Sequence, residues 1–298
     1  MDGSEGVALT LDLQTVIEHQ LTSLSAETSN NALSEWSFSN LYLFREAHGY
    51  RYIGGNWPRI TGRTYDGVRH VFPLFPLHEA PAAVQLQLLR GHDCFYPLCE
   101  AQIRRLASAH FTLEACRDDA DYLYPATNFA HYRGSVLQKK RNLMKQCHAT
   151  HRIETRPYGP ECKEAALAVL DGWLFDKGMA QEDADARPCR EALSVADRLH
   201  LAGYVHWADG QPAGFVLAEL LQPGVAVMRF AKGLASVQGI AQAMFHHFAT
   251  SPPWPLQFMN FEQDLGRANF RQTKASYQPM ALLSKWRARP SGLLKYLA

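Results

Sequence analysis

Apolar and polar positions alternate in short blocks along the chain, and the order of the blocks is written twice. In the second half, residues 204–207 read as a strand and Asp209-Gly210 supplies a turn that tolerates positive φ. Residues 214–221 form the returning strand. A further apolar strand is expected over 225–230. Ile240, Met244, Phe245 and Phe248 recur at helical spacing and predict a helix over 237–249. A strand over 256–260, a helix over 267–277 and a last strand over 280–286 complete the set, which a helix over 161–175 precedes. The first half follows the same order. Strands are expected over 51–54, 59–65 and 68–75, with Asp66-Gly67 at the turn. A helix over 81–89, a strand over 94–98, a helix over 100–110 and a strand over 111–116 follow. This pattern predicts an α/β chain of two tandem domains, 1–150 and 151–298, with the junction near residues 148–160.

Composition narrows the class. Of 298 residues, 47% are hydrophobic and 20% charged, which suits a globular chain and excludes a mostly disordered one. The longest apolar stretch, over 213–228, is broken by Glu219 and Pro223-Gly224, so no spanning helix is expected. No Lys or Arg precedes Arg45, so the basic region of a secretory signal is missing. Six scattered cysteines without a C-x-x-C pair fit neither a zinc site nor a disulfide framework. His246 and His247 are adjacent and point to different helix faces, which is poor metal geometry. These features lead to the expectation of a cytoplasmic protein with reduced thiols and no metal.

Charge is balanced overall, at +1, but not along the chain. Residues 1–44 hold six acids and no Lys or Arg; residues 131–152 and 265–298 hold basic residues and no acid. Such segregation suggests an anionic partner, with a solvated helix face as the plainer reading of any one run.

The segment 260–279 reads N-F-E-Q-D-L-G-R-A-N-F-R-Q-T-K-A-S-Y-Q-P. Through Asn260, Glu262, Asp264, Gly266, Arg271, Lys274, Ser276, Tyr277 and Pro279 it resembles the signature of the C-terminal catalytic domain of phosphatidylglycerol lysyltransferases. Gln138-Lys139-Lys140-Arg141-Asn142, preceded by Asp121-Tyr122-Leu123-Tyr124, is similar to another segment of that family, and Phe38-Ser39-Asn40-Leu41-Tyr42 to a third. The resemblance covers about residues 35–288 and implies two tandem acetyltransferase-like (GNAT) domains, with mixed sheets flanked by helices. It also implies aminoacyl transfer from aminoacyl-tRNA to a hydroxyl or amine, on a small-molecule acceptor or a lipid headgroup. No transmembrane segment is expected, and peripheral membrane contact stays open. No cofactor is implied beyond aminoacyl-tRNA as co-substrate. The family's Glu-Lys pair before the central helix reads Ala231-Lys232 here, so the acid is missing.

Roles follow from the chemistry of an activated ester, which needs orientation, a proton acceptor and oxyanion stabilisation. Glu262 and Asp264 stand two apart after a strand and would face one side if the strand continued. One could serve as base or bind an α-ammonium; alternatively Asp264 caps the next helix. Arg271 and Lys274 share a helix face and could hold a phosphate, or simply be solvated. Tyr277 could donate to an oxyanion or be a packing aromatic. Ser276, Asn260 and Lys232 join the expected substrate site, as do Trp173 and Glu191, which match a Trp and a Glu of the family more loosely. Lys139, Lys140, Arg141 and Asn142 are the expected tRNA contacts.

Two rivals remain. An acetyl-CoA-dependent N-acetyltransferase would cradle pyrophosphate at the start of the central helix, where Ser236 stands in place of the usual Arg or Gln. A non-catalytic RNA-binding module would tolerate neutralisation of Glu262 and Asp264.

Overall fold

Two seven-stranded mixed sheets flanked by helices carry the fold of this computed structural model, which describes residues 6–28, 32–106, 110–179 and 185–291. The chain forms two compact units. The first holds residues 1–121, 263–266 and 283–298; the second holds 122–262 and 267–282. The junction expected near 148–160 falls inside the second unit.

The first unit opens with β1 (Val7–Ala8) and α1 (Gln14–Glu27), whose Ile17, Leu21 and Leu24 form one buried stripe. Ser37 caps α2 (Phe38–Leu43) by accepting from the Asn40 N–H at 3.1 Å, and α3 (Arg45–His48) ends at Gly49, where φ is 60°. Then come β2 (Arg51–Ile53), β3 (Arg59–Arg63), β4 (Arg69–Pro73), α4 (Ala82–Leu88), β5 (Cys94–Leu98), α5 (Glu100–Ile103) and β6 (Phe111–Ala115). The helix expected over 100–110 is thus short, and 107–109 lie outside the described residues. β3 and β4 form the expected hairpin around Gly67, at φ 82°, and α4 crosses to β5, which runs parallel to β4.

The second unit contains β7 (Asp121–Pro125), α6 (Ala126–His131), α7 (Gln138–Thr150), β8 (Ile153–Pro157), α8 (Lys163–Lys177), α9 (Ala186–Val195) and β9 (Leu201–Ala208). It continues through β10 (Gln211–Gln222), β11 (Gly224–Gly233), α10 (Ile240–Thr250), β12 (Leu256–Asn260), α11 (Ala268–Ala275) and β13 (Ala281–Leu283). α10 buries the predicted stripe of Ile240, Met244, Phe245 and Phe248 against Phe129, Tyr132 and the sheet. β11 and β12 are the parallel pair that α10 connects.

The end of the chain departs from expectation. The single strand predicted over 280–286 is two strands in two sheets: β13, then β14 (Trp286–Pro290) between β5 and β6 of the first sheet. β7 takes the matching place in the second sheet, between β12 and β13. β14 thus joins the first sheet directly after β13 of the second, and β7 joins the second sheet directly after β6 of the first. Pairing energy is local to the ladder and leaves no mark in the pattern that would assign a strand to a distant sheet.

The basic run over 265–298 is also not a free surface. Lys285 is buried against Glu35 at 2.6 Å and Asp121 at 2.7 Å. Arg287 is buried between Asp66 at 2.7 Å and Asp119 at 2.9 Å, and Arg289 reaches Glu114 at 3.0 Å. Acids distant in sequence neutralise Lys285, Arg287 and Arg289; Lys295 lies outside the described residues.

Candidate functional site

The parallel pair β11–β12 parts at a defined point. Pairing ends at Val227 opposite Asn260, and β11 runs on to Gly233 without a β12 partner. At this fork the chain turns sharply. The Asn260 side chain, fully buried, accepts from the Glu262 N–H at 2.6 Å, and Glu262 adopts φ 57°, a left-handed conformation that costs a non-glycine residue energy. Lys274 of α11 holds the turn by donating to the carbonyls of Phe261, at 2.7 Å, and Glu262, at 3.2 Å. The Tyr122 N–H also donates to the Glu262 carbonyl at 3.2 Å.

Arg229, just past the fork on β11, fixes the Glu262 side chain. Its fully buried guanidinium donates from Nη1 to Glu262 Oε1 at 2.6 Å, and from Nε and Nη2 to Glu219 Oε2 at 2.9 and 2.8 Å. Burial opposes its charge, but the two carboxylates outweigh it and hold Arg229 above the usual arginine range. Arg229 thus bridges two carboxylates, Glu219 and Glu262. The Glu262 side chain remains 21% exposed, so its carboxylate has a route to a ligand. Such a group suits an ammonium.

Tyr277 lies 5% exposed among Phe129, Tyr132 and Phe245. Its hydroxyl accepts from Gln242 Nε2 at 2.8 Å, and burial pushes it up to about 12, so it keeps its proton at neutral pH. Lys140 of α7 stands 4.1 Å over the Tyr277 ring. Burial, then Lys139, lowers the Lys140 ammonium from its usual range. The structure thus brings Lys140 to Tyr277, two residues that sequence spacing did not connect. Lys139 and Asn142 are exposed, while Arg141 donates to the Tyr132 carbonyl at 2.6 Å. Three cations crowd the first turn of α7, where the helix dipole disfavours positive charge.

A second cluster lies farther along β11. Lys232, 6% exposed, pairs with Asp185 at 2.6 Å and stands 3.9 Å over the Trp173 ring of α8. Glu191 is half-buried on α9, and Asp185 rather than Glu191 is the acid on Lys232.

Several expectations are corrected. The strand does not continue past Asn260, so Glu262 and Asp264 do not share a strand face. Asp264 belongs to the first unit, is fully buried, and accepts from the Gly266 N–H at 2.9 Å and Arg117 at 3.3 Å. Nor does it cap α11, whose N-cap is Arg267. Lys274 is a strut under the turn, not one arm of a clamp with Arg271, which is half-buried on α11. Ser276 donates within its own helix turn, to Thr273 O at 2.6 Å. Sequence reasoning missed Arg229, Glu219 and Asp185. A lone charge inside each of the apolar runs 214–221 and 225–230 was the available signal for the first two.

α7 also lies across the start of α10. Gly239 has φ 86°, and a Cβ there would stand 2.1 Å from the Leu143 carbonyl; Gln146 donates to Gln238 at 3.0 Å. Protein backbone therefore abuts the helix N-terminus that a pyrophosphate would need. Among the described residues no cluster of three or more His, Cys, Asp or Glu is arranged to hold a metal ion, and no helix is long and apolar enough to cross a membrane.

Comparison with known proteins gives the family. No functionally curated protein matches the sequence, but solved structures do. A conserved protein of unknown function from Bacteroides thetaiotaomicron is 22% identical, with a TM-score of 0.80 over 95% of this chain and 98% of that one. The C-terminal domain of a putative lysylphosphatidylglycerol synthetase from Agrobacterium fabrum is 15% identical, with a TM-score of 0.62 over 95% of each chain. L-PGS from Bacillus licheniformis is 13% identical, with a TM-score of 0.58 over 94% of each chain. At these identities the likeness shows a shared fold. The family described as phosphatidylglycerol lysyltransferase, C-terminal, matches residues 27–289, nearly the whole chain, and the protein belongs to that family.

Proposed function

We propose that the protein is an aminoacyltransferase that moves an aminoacyl group from aminoacyl-tRNA to a hydroxyl or amine of a small acceptor or lipid headgroup. The observation that carries this reading is the partly exposed Glu262 carboxylate that Arg229 holds in place at the β11–β12 fork. An aminoacyl ester differs from a simple acyl donor by its α-ammonium, and Glu262 offers that group a fixed, charged acceptor. Arg229 fixes the Glu262 carboxylate in place, which suits it to hold an ammonium.

In the reaction, the acceptor oxygen or nitrogen attacks the ester carbonyl, a tetrahedral oxyanion forms and collapses, and the ribose oxygen of the tRNA leaves as a hydroxyl, taking up the proton that the acceptor gives up. Tyr277 retains its proton, and with Gln242 already donating to it, its own O–H is left to donate to the oxyanion or to the leaving oxygen. Lys139 and Arg141 supply the charge for phosphates of the tRNA end. The packing of α7 against Gly239 supports a donor other than acetyl-CoA.

The test is a titration of the purified protein with a panel of charged tRNAs and with acetyl-CoA, at two salt concentrations. Saturable, salt-sensitive binding of one aminoacyl-tRNA is expected and would identify the amino acid. Binding of acetyl-CoA without preference for any charged tRNA would overturn the proposal.

A further inference from the structure

The first unit is acidic overall, yet one face of its sheet gathers arginines. From residue 1 to 121 its nine cationic side chains, histidine aside, are all arginine; the first lysine of the chain is Lys139. Register sets Arg63 of β3 opposite Arg69 of β4, and Arg51 of β2 opposite Thr61 of β3. Side chains alternate along a strand, so Arg51, Arg59, Arg63 and Arg69 share one face of the sheet. Like charges directly opposite each other destabilise a sheet.

The compensation is small. Arg69 pairs with Asp93 at 3.1 Å. Arg51 and Arg59 donate to carbonyls, those of Gly6 at 2.6 Å and Trp57 at 3.1 Å. Arg63 is exposed and has no ion-pair partner among the described residues. With no acid beside it, Arg59 is lowered from the usual arginine range by burial.

Arg63 and Arg69 open onto a cavity of about 440 Å³ that Glu46, His48, Thr61 and His92 also line. Burial lowers both histidines, so they offer donors without charge at neutral pH. No lining residue is apolar and larger than alanine.

We propose that this arginine face binds the phosphodiester backbone of RNA, with Arg63 as its unpaired anchor. A guanidinium fork matches phosphate oxygens with fixed geometry, and Arg69 beside it is held in place by Asp93 through Nε and Nη2. The polar, hydrated lining suits a nucleic-acid backbone better than the acyl region of a lipid surface. The tRNA as natural occupant rests on the function proposed above; the charge pattern stands without it. The face adds an RNA contact in the first unit to the one on α7.

The test is fluorescence-anisotropy titration of the full chain with uncharged tRNA at about 50 and 200 mM salt, for wild type and Arg63→Glu. The variant is expected to bind about tenfold more weakly, with a salt slope lower by roughly one counterion. Its melting temperature should stay equal or rise, because the repulsion between Arg63 and Arg69 is gone. Arg63→Lys, which keeps the charge and loses the fork, should fall between the two. Unchanged affinity and slope in Arg63→Glu, with wild type binding tRNA, would overturn this inference and leave the transferase reading standing. No tRNA binding by wild type would overturn both. Loss confined to anionic phosphatidylglycerol vesicles, with tRNA binding intact, would replace RNA with a lipid surface.

Discussion

Glu262 occupies a conformation that glycine would take at no cost, and yet its carboxylate is the one turned toward solvent from a buried ion cluster. Strain held by Asn260, Lys274 and Arg229 is the mark of a residue kept for its side chain. Glu262→Gln keeps the shape and removes the charge. It should lower kcat/KM for aminoacyl transfer about 100-fold, ~3 kcal/mol of transition-state binding, while the melting temperature moves by only a few degrees. Kinetics beside a thermal melt would separate this from a folding defect. A second carboxylate makes a different statement. Burial pushes Glu35 up to about 7, against the opposing pull of Lys285, and Asp121 adds to the rise. A carboxyl raised in the folded state binds more protons there than in the unfolded chain. Its stabilising contribution is therefore full below its ordinary range, near 4.5, and is lost as pH rises through 7. Urea midpoints should show wild type losing stability relative to Glu35→Gln between about pH 5 and 8, by on the order of 2 kcal/mol. His70, which burial lowers to about 3, changes stability in the opposite sense over this range, so only the difference between the two proteins is diagnostic.

Elements were legible where their physics is local. The stripe of Ile240, Met244, Phe245 and Phe248, the Asp66-Gly67 and Asp209-Gly210 turns and the paired hairpins all follow from periodicity and turn chemistry, and the structure has them. What stayed hidden depends on distant partners. Lys285 reads as surface charge until Glu35 and Asp121 stand beside it, and Lys274 reads as a phosphate clamp until its ammonium is seen under two carbonyls. The motif around Glu262 was visible as residues, but the Arg229 that orients it lies 33 positions away. The contact of α7 with α10 belongs to the same class, since no periodicity encodes the approach of the Leu143 carbonyl to Gly239. That approach predicts a large penalty for the smallest side chain. Gly239→Ala must adopt φ near 86° and place a Cβ at 2.1 Å from the carbonyl, so α7 must move. A loss of at least ~2 kcal/mol in chemical denaturation is expected, together with weaker tRNA binding as α7 shifts.

At the scale of the whole molecule, the reciprocal placement of β7 and β14 decides which pieces of the chain can stand alone. A fragment of residues 1–150 retains β1 to β6 but lacks β14, and with it Ala288 in the core and Arg287 beside buried Asp119. An open slot between β5 and β6 would expose two unpaired strand edges. The fragment should show no cooperative unfolding transition, whereas adding residues 151–298 in trans should restore one; a sharp melt of the fragment alone would contradict the topology. The same arrangement sets a timetable for synthesis. A ribosome releases β1 to β6 early, but the strand that closes their sheet leaves the tunnel only after β7 to β13 have passed. The sheet of β1 to β6 must therefore wait, unfinished, until β14 has been made, and whatever guards its exposed edges in that interval governs how much protein reaches its folded form.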